Sequence, residues 1–424
     1  MQCSRACHAH RASLNRSAPR NVYFSDMNLA IVSPFPPAIT GIGQYGYHIS
    51  RILAQSGQFD RVTVLAGAHP GSPHASTPET LQIRYAWRPG ALSAGPAIAL
   101  ALRQIRPDLV WYNLGASVFG RSPAANLIGF LSMAHARAAG LPTVVTLHEL
   151  VELADLKTLR APGGPLAQLG AHLLTFLATR ADVVCLTLRR YVEHVAARCR
   201  RLRCFHIPIG AYGPPEALPE PPGPELLFFT TLAPYKGLEI LLAAYRRLAP
   251  LYPRLRLTIA GVEHPRFPGY AGRLRRECAA LPGIRWLGQA PEDHIRPMFA
   301  QAQIVVLPYQ ASTGSSSVIY QAARWGRALI ASDLPDTTAL AAENGLDIEF
   351  FKNGDPASLA AAIQTLLGAP ERRRRMAQAN LTAIARNRPE DTCRLYLQAF
   401  NLALETRQSA KRLNAHASFT PESV

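Results

Sequence analysis

The chain has 424 residues, of which 48% are hydrophobic and 17% charged, so it is long enough for two or three globular domains with full cores. This composition excludes a disordered chain, and no apolar run is long enough to cross a membrane as a helix. The formal net charge of +17 at pH 7 favours an anionic partner, such as nucleic acid, a membrane surface or a phosphorylated small molecule.

The first segment, 1–26, is rich in arginine and histidine and lacks the apolar core of a secretory signal. It predicts a disordered tail, or an upstream start with Met27 as the true initiator. The seven cysteines of the chain are scattered and odd in number, without a Cys-x-x-Cys pair. They predict reduced thiols in a cytoplasmic protein, and neither a metal nor another cofactor is expected.

Residues 27–212 predict an N-terminal domain in which strands and helices alternate. Such alternation is typical of a parallel sheet covered by helices on both faces. The predicted strands are 29–32, 61–67, 81–87, 107–113, 142–148 and 181–187, and the predicted helices are 44–56, 95–105, 122–139 and 164–180.

A proline-rich segment, 213–224, predicts a linker, after which the same alternation begins again. The fold class is therefore α/β, with two Rossmann-like doubly wound domains that face each other across a cleft. The second domain is predicted over 225–390, with strands at 225–231, 256–261, 284–288, 304–309 and 328–333. A helix over 391–406 is expected to return to the N-terminal domain, and 407–424 to form a disordered tail.

Two loops that follow strands contain candidate binding residues, because doubly wound sheets bind ligands at the carboxyl ends of their strands. Lys236 follows strand 225–231 and is one of only four lysines among 45 basic residues. Its compact ammonium suits a diphosphate; the alternative is a solvated loop lysine. Gly41 and Gly43 follow the first strand and would let the backbone approach a ligand near the N-terminus of helix 44–56.

A third loop, "TGSSS", precedes the predicted helix 316–325. Gly314, Ser315, Ser316 and Ser317 would offer amide groups and hydroxyls to an anion at the positive end of that helix. The alternative is ordinary capping of the helix by serine. Gln321 is expected on the flank of the helix, near the cleft.

In this order and spacing, "PFPPAITGIGQY", "PTVVTLHEL", "LAPYKGLEILLAAY" and "IVVLPYQASTGSSSVIYQAARWGRALIASDLPD" resemble a known family over about residues 27 to 406. The family is that of retaining, nucleotide-sugar-dependent glycosyltransferases of the group 1 type, which have the GT-B architecture. The resemblance implies transfer of a sugar from a nucleotide diphosphate sugar to a hydroxyl acceptor. The N-terminal domain would hold the acceptor and the C-terminal domain the donor.

The same resemblance implies roles for individual residues. Lys236 would contact the donor diphosphate, and His148 would lie beside the reacting centre and donate to a developing charge; these two are the expected catalytic residues. The expected donor-binding residues are Gly41, Gly43, Thr231, Lys236, Thr313, Gly314, Ser315, Ser316, Ser317 and Gln321.

Three of these positions depart from the family pattern. Thr313 and Gln321 replace its two glutamates, and Thr231 replaces an arginine five residues before the lysine. A neutral acceptor at Gln321 can still bind a ribose diol, although a charge-assisted bond is stronger by about 1–2 kcal/mol. This predicts altered donor affinity. The alternatives are a catalytically silent glycosyltransferase-like subunit, or a nucleotide-sugar epimerase or sugar phosphorylase on the same fold.

A basic stretch in the N-terminal half predicts where the protein works. It contains Arg189, Arg190, Arg198, Arg200, Arg201 and Arg203. Docking of this stretch to the anionic inner leaflet of the plasma membrane would bring the cleft to a lipid-linked acceptor, as in the synthesis of a cell-surface polysaccharide or glycolipid. The alternative is a solvated basic face. No compact aromatic and basic motif occurs, so no specific nucleic acid is expected.

Overall fold

The computed structural model describes residues 24, 26–37, 40–68, 80–161, 165–199, 202–312 and 314–417. They form two parallel sheets, one of seven and one of six strands, each flanked by helices. The predicted pair of doubly wound α/β domains is confirmed. Near-continuous burial explains why the strands read as apolar runs, as in "LVWYNL", in which every residue is buried.

The first sheet has the strand order β3-β2-β1-β4-β5-β6-β7. Its order reverses between β1 and β4, which opens a crevice at the carboxyl ends of these two strands. The strands are β1 Asn28–Val32, β2 Arg61–Gly67, β3 Leu81–Trp87, β4 Leu109–Leu114, β5 Thr143–Leu147, β6 Val183–Leu186 and β7 Arg203–His206. The helices are α1 Gly41–Gln55, α2 Ala94–Ile105, α3 Pro123–Ala138, α4 Pro165–Ala178 and α5 Arg189–Arg198.

The second sheet has the order β10-β9-β8-β11-β12-β13 and reverses between β8 and β11. Its strands are β8 Glu225–Phe229, β9 Arg256–Ala260, β10 Ile284–Gly288, β11 Ile304–Leu307, β12 Ala328–Ser332 and β13 Glu349–Phe351. The helices are α6 Leu238–Leu248, α7 Tyr270–Glu277, α8 Glu292–Gln301, α9 Ser317–Arg324, α10 Pro335–Asn344, α11 Pro356–Gly368, α12 Pro370–Ile384 and α13 Pro389–Ala417.

The predicted linker has no helix or strand but is fixed against the second domain. Leu218 is buried, and the buried guanidinium of Arg327 donates to the carbonyl oxygens of Leu218 and Pro219, the latter at 3.1 Å. Prolines have backbone carbonyl oxygens but no amide hydrogens, so a proline-rich segment offers acceptors to an arginine that donates several hydrogen bonds. The linker is therefore part of the folded structure.

Both predicted tails are wrong at their inner ends. Phe24 is buried against Phe59, with ring centroids 5.0 Å apart, so the core includes a residue of the predicted tail 1–26; residues 1–23 lie outside the described part of the chain. At the other end, α13 continues past 406 to Ala417. It packs on α1, β5 and β6, so this helix covers the N-terminal domain. Among the helices described, none is both long and apolar enough to cross a membrane.

Candidate functional site

Lys236 lies in a short 3-10 turn, Pro234–Lys236, directly after β8. Its ammonium is 3.9 Å from the ring centroid of Tyr309, which follows β11, and this is a cation–π distance. Gly237 has φ 72° and packs so closely on Pro308 that a Cβ would lie 1.7 Å from the Pro308 carbonyl oxygen. Only glycine fits there, and it brings the two loops at the crevice together. In the described part of the chain, no carboxylate forms an ion pair with Lys236.

The loop before α9 lies against the other domain. Gly314 has φ 141°, and a Cβ there would lie 2.0 Å from the carbonyl oxygen of His148. The Ser315 hydroxyl donates to the carbonyl oxygen of Thr187 at 3.2 Å, so it joins the two domains. Ser316 is the N-cap of α9 without a side-chain capping bond, and Ser317 is its first residue. Thr313 lies outside the described residues, and Thr231 is half-buried after β8.

Gln321 is more deeply buried than its predicted place on the flank of α9. Its exposed fraction is 6%, and its Oε1 has no hydrogen-bond partner in the described structure. A buried acceptor left without a donor costs about 1–3 kcal/mol. The amide therefore gains whenever a ligand hydroxyl reaches it.

Gly41 and Gly43 lie in the first turn of α1, whereas the sequence predicted a loop before a helix at 44. Thr40 caps this helix and accepts the Gly43 amide hydrogen at 2.9 Å, which is why the helix begins earlier. The amide groups of Gly41 and Ile42, which precede Gly43 in that first turn, have no acceptor within the helix and can donate to a ligand. The helix N-terminus, rather than a flexible glycine loop, is the feature at this edge of the cleft.

His148 follows β5 and is buried, with 6% of its surface exposed. Its Nε2 is 2.6 Å from Oδ1 of Asn113, while the Asn113 amide group donates to Ser33 Oγ at 2.9 Å and to the Ile42 carbonyl oxygen at 3.1 Å. These donations orient Oδ1 toward the imidazole, so Nε2 carries the proton. Tyr45 packs edge-on against the ring at 4.7 Å between centroids.

Burial lowers the pKa of His148 to about 3, so the imidazole is neutral near pH 7. Its Nε2 hydrogen is already donated to Asn113. The expected donation from this nitrogen to a developing charge is therefore wrong for this geometry. The neutral ring instead has Nδ1 as an acceptor, suited to a sugar hydroxyl.

Sequence reasoning missed two residues beside His148. Asn113 connects the ends of β1, α1 and β5, and its signal is one amide within the apolar strand "LVWYNL". Glu149 accepts the Ala116 amide hydrogen at 2.7 Å. Burial, and to a lesser degree the Glu149 carboxylate, raises the pKa of Tyr235 to about 12. A carboxylate from the N-terminal domain thus lies near the Lys236 loop.

Polar contacts hold the domains together beside this cleft. Asp336 of α10 accepts from Arg190 at 2.6 Å and from the Tyr191 hydroxyl at 2.7 Å, and Glu343 accepts the Arg189 amide hydrogen at 2.9 Å. Of the predicted membrane stretch, the guanidinium of Arg190 is therefore used between the domains, whereas Arg189 contributes only its backbone amide to this contact. Arg200 and Arg201 of that stretch lie outside the described residues.

Two family models match the chain. Residues 40–210 match the glycosyl transferase 4-like domain, and residues 223–369 match the model described as glycosyl transferases group 1. Together these matches cover most of both domains, one on each side of the cleft. Two Rossmann-like domains with a ligand crevice at each switch point are the GT-B architecture of glycosyltransferases. The chain belongs to the group 1 glycosyltransferases and is an enzyme of that class.

Solved structures share this fold across nearly the whole chain. Sucrose-phosphate synthase from Thermosynechococcus elongatus is 18% identical, with a TM-score of 0.65 over 92% of this chain and 100% of that one. HepE of Anabaena in complex with UDP-glucose is 18% identical, with a TM-score of 0.62 over the same shares, 92% and 100%. The lipopolysaccharide outer core galactosyltransferase WaaB is 12% identical, with a TM-score of 0.58 over 88% of this chain and 99% of that one. A comparison with curated proteins gave no match.

Proposed function

We propose that this enzyme transfers a sugar from a nucleoside diphosphate sugar to a hydroxyl acceptor, with retention at the anomeric carbon. The observation that carries the proposal is Lys236, an ammonium at the β8/β11 switch point without a carboxylate partner in the described structure. The UDP-glucose bound by HepE supports a donor of this class. We also propose a lipid-linked acceptor in the synthesis of a cell-surface polysaccharide or glycolipid, at the cytoplasmic face; WaaB, a lipopolysaccharide galactosyltransferase, supports this setting.

In the proposed reaction the bond between the anomeric carbon and the diphosphate oxygen breaks. The acceptor oxygen forms a bond to the same face of that carbon, and its proton passes to the departing phosphate oxygen. Negative charge therefore grows on the diphosphate, where an ordered cation and helix N-termini are most effective. Lys236 is the cation, and the first turns of α1 and α9 supply the amide groups.

Two side chains position the donor in this proposal. The Nδ1 atom of His148 accepts a hydrogen bond from a hydroxyl of the transferred sugar, because its Nε2 hydrogen is held by Asn113. Gln321 accepts from the ribose, which supplies the donor that its buried Oε1 lacks. Neither role needs a metal, and neither residue moves a proton.

Substitution of Lys236 tests the proposal. Lys236→Ala should lower turnover of UDP-glucose about 10²–10³-fold, the usual effect of removing one preorganised electrostatic contact. The melting temperature without donor should change little, because the side chain is half-buried on a loop. Lys352→Ala is the matched control, since this exposed lysine follows β13 at the same edge of the second sheet. A loss below tenfold for Lys236→Ala, or equal losses for both variants, contradicts the role.

A catalytically silent subunit is the second candidate, favoured by Gln321 and Thr231 at positions where the family has charged residues. Such a protein would bind nucleoside diphosphate sugars and raise its melting temperature with them, yet show neither transfer nor hydrolysis. A panel of donors scored for both binding and product release separates the two candidates. An epimerase would instead convert the donor without any acceptor.

A further inference from the structure

Helix α4 exposes a stripe of large apolar side chains. Leu166, Leu169, Leu173 and Phe176 have exposed fractions of 74%, 65%, 39% and 49%. Their spacing of three, four and three residues places them on one face of the helix. Among the ten large apolar side chains exposed in the described structure, these four are the largest group on one element. Soluble surfaces seldom gather such residues without a partner.

The opposite side of α4 is firmly attached, so the stripe is not a loosely packed core face. Ala171 is buried, the Thr175 hydroxyl donates to Glu152 at 2.7 Å, and Gln168 donates to the Glu152 carbonyl oxygen at 2.9 Å. Elements packed against α4 extend the patch with Leu131 of α3 and Leu153 of the 3-10 turn Val151–Leu153.

The charges nearest the stripe in sequence are mainly basic, although the buried Glu152 and the exposed Asp155 lie in and just after the 3-10 turn that packs on α4. From 156 to 181 the sequence contains three basic residues, Lys157, Arg160 and Arg180, and no acidic one. The guanidinium of Arg180 lies 4.2 Å from the Phe176 ring centroid, at the end of the stripe. Helix α5 lies beside the same 3-10 turn, since His194 is 3.7 Å from Glu152, and it adds the exposed charges of Arg198 and Glu193.

We propose that this surface docks on an anionic lipid bilayer, with the α4 stripe in the boundary between headgroups and acyl chains. An apolar face bordered by basic side chains is the pattern of helices that lie in that boundary, and the 14 residues of α4 are too few to cross it. A second copy of the chain fits less well, because each copy has a net charge of +17 and would present the same basic border.

The position of the surface matches the proposed acceptor. The turn that packs on α4 begins at Val151, three residues after His148, so the docked face and the acceptor side of the cleft belong to one rigid unit. A lipid-linked acceptor would enter from that side. The purpose of docking rests on the proposed function, whereas vesicle binding can be measured without any turnover.

Co-sedimentation of the full chain tests the surface. The probes are vesicles of phosphatidylcholine alone and with about a third phosphatidylserine. The variant combines Leu166→Gln and Leu169→Gln, and the matched control combines Leu251→Gln and Leu287→Gln, whose leucines are 65% and 42% exposed in the C-terminal domain. Anionic vesicles should bind wild type and control alike, and the α4 variant at least tenfold more weakly. Binding should also fall in 0.5 M salt, where the Debye length is about 4 Å.

Three outcomes overturn the proposal: no binding of wild type to either vesicle, equal binding of the α4 variant, or loss of a dimer in size-exclusion chromatography as the sole effect of that variant. The function is tested separately with a water-soluble acceptor. There the α4 variant should keep wild-type turnover, whereas Lys236→Ala should lose turnover and keep vesicle binding. The two proposals can therefore fail independently.

Discussion

The switch points of the two sheets differ in how their polar groups are satisfied. At the β1/β4 crevice, the side chain of Asn113 makes hydrogen bonds to His148, Ser33 and Ile42. At the β8/β11 crevice, the Lys236 ammonium lies near the rings of Tyr309 and Tyr235 and forms no ion pair with a carboxylate in the described structure; on the helix that follows β11, Gln321 has a buried oxygen without a partner. The side chain of Asn113 thus has partners for both its oxygen and its amide group, which completes the first network around it, whereas the second network is incomplete.

This difference assigns different tasks to the two domains. A completed buried network is rigid and resists rearrangement, so the N-terminal crevice fixes the orientation of the histidine before any ligand arrives. An incomplete one gains hydrogen bonds and charge pairing only when a ligand binds, so we expect the C-terminal crevice to contribute mainly to affinity for the proposed donor. Changes at the first should therefore reduce stability, and changes at the second should reduce binding.

The largest expected effect comes from Asn113→Leu. It removes the acceptor of the His148 Nε2 hydrogen and the donor to Ser33 Oγ, although the Ser33 hydroxyl still donates to the Pro34 carbonyl oxygen at 2.7 Å; an orphaned buried group costs about 1–3 kcal/mol. Urea denaturation should show a loss of about 3 kcal/mol in the free energy of unfolding. Ser316→Ala, which removes a hydroxyl without a capping bond in the second domain, should change it by less than about 0.5 kcal/mol. Equal losses would erase the contrast.

The next effect is on acid stability. Burial, aided by Arg324 and Arg51, lowers the pKa of His48 to about 4, and burial lowers that of His148 to about 3. As the pH falls, both histidines are protonated near pH 6.5 in the unfolded chain but only near pH 4 and 3 in the folded protein. Their contribution to the free energy of unfolding is therefore complete above pH 6.5 and decreases as the pH falls toward these lower values. His48→Gln should remove about 2 kcal/mol of the decrease between pH 7.5 and 5, measured by denaturation at both values. An unchanged decrease would mean that His48 is protonated in the folded protein.

The smallest effect belongs to Gln321→Leu, which removes the unpartnered oxygen. Stability without donor should stay the same or increase by about 1 kcal/mol, because replacing an orphaned polar group by an apolar one can be favourable. Affinity for UDP-glucose in calorimetry should fall about tenfold, equivalent to 1.4 kcal/mol. Gln321→Glu should lower the melting temperature without donor, since it buries a carboxylate. Added donor should restore that melting temperature. An unchanged affinity of Gln321→Leu for UDP-glucose would show that Gln321 does not bind the donor.

Local patterns predicted most of the sheets and the position of Lys236, because consecutive residues show both a strand buried on two faces and the loop that follows it. Strands β7 and β13 and helices α5, α10 and α11 were missed, and α5 and β7 show why. The helix buries only Tyr191 and Val195, so its apolar signal is weak, and β7 is a short edge strand with no fully buried residue.

The site was less predictable because its geometry depends on distant segments. The tautomer of His148 is decided by Asn113, which is itself oriented by Ser33 and Ile42, and no single stretch of sequence contains all four. Gln321 was expected on the flank of the helix near the cleft and is instead buried. Helix α9 packs on both β12 and α12, and the periodicity of an eight-residue helix does not reveal that two neighbouring elements cover it.

Helix α13 has a consequence for the order of synthesis. Tyr396 lies in the N-terminal core, 4.5 Å from Trp111 between ring centroids, with its hydroxyl bonded to Tyr45 and Thr146 at 2.8 and 2.9 Å. A ribosome that has released residues 27–212 has therefore not yet made the helix that covers this sheet. The second domain, although later in sequence, has its own sheet complete by Phe351 and can close first. The N-terminal domain is finished only when the last helix returns to it.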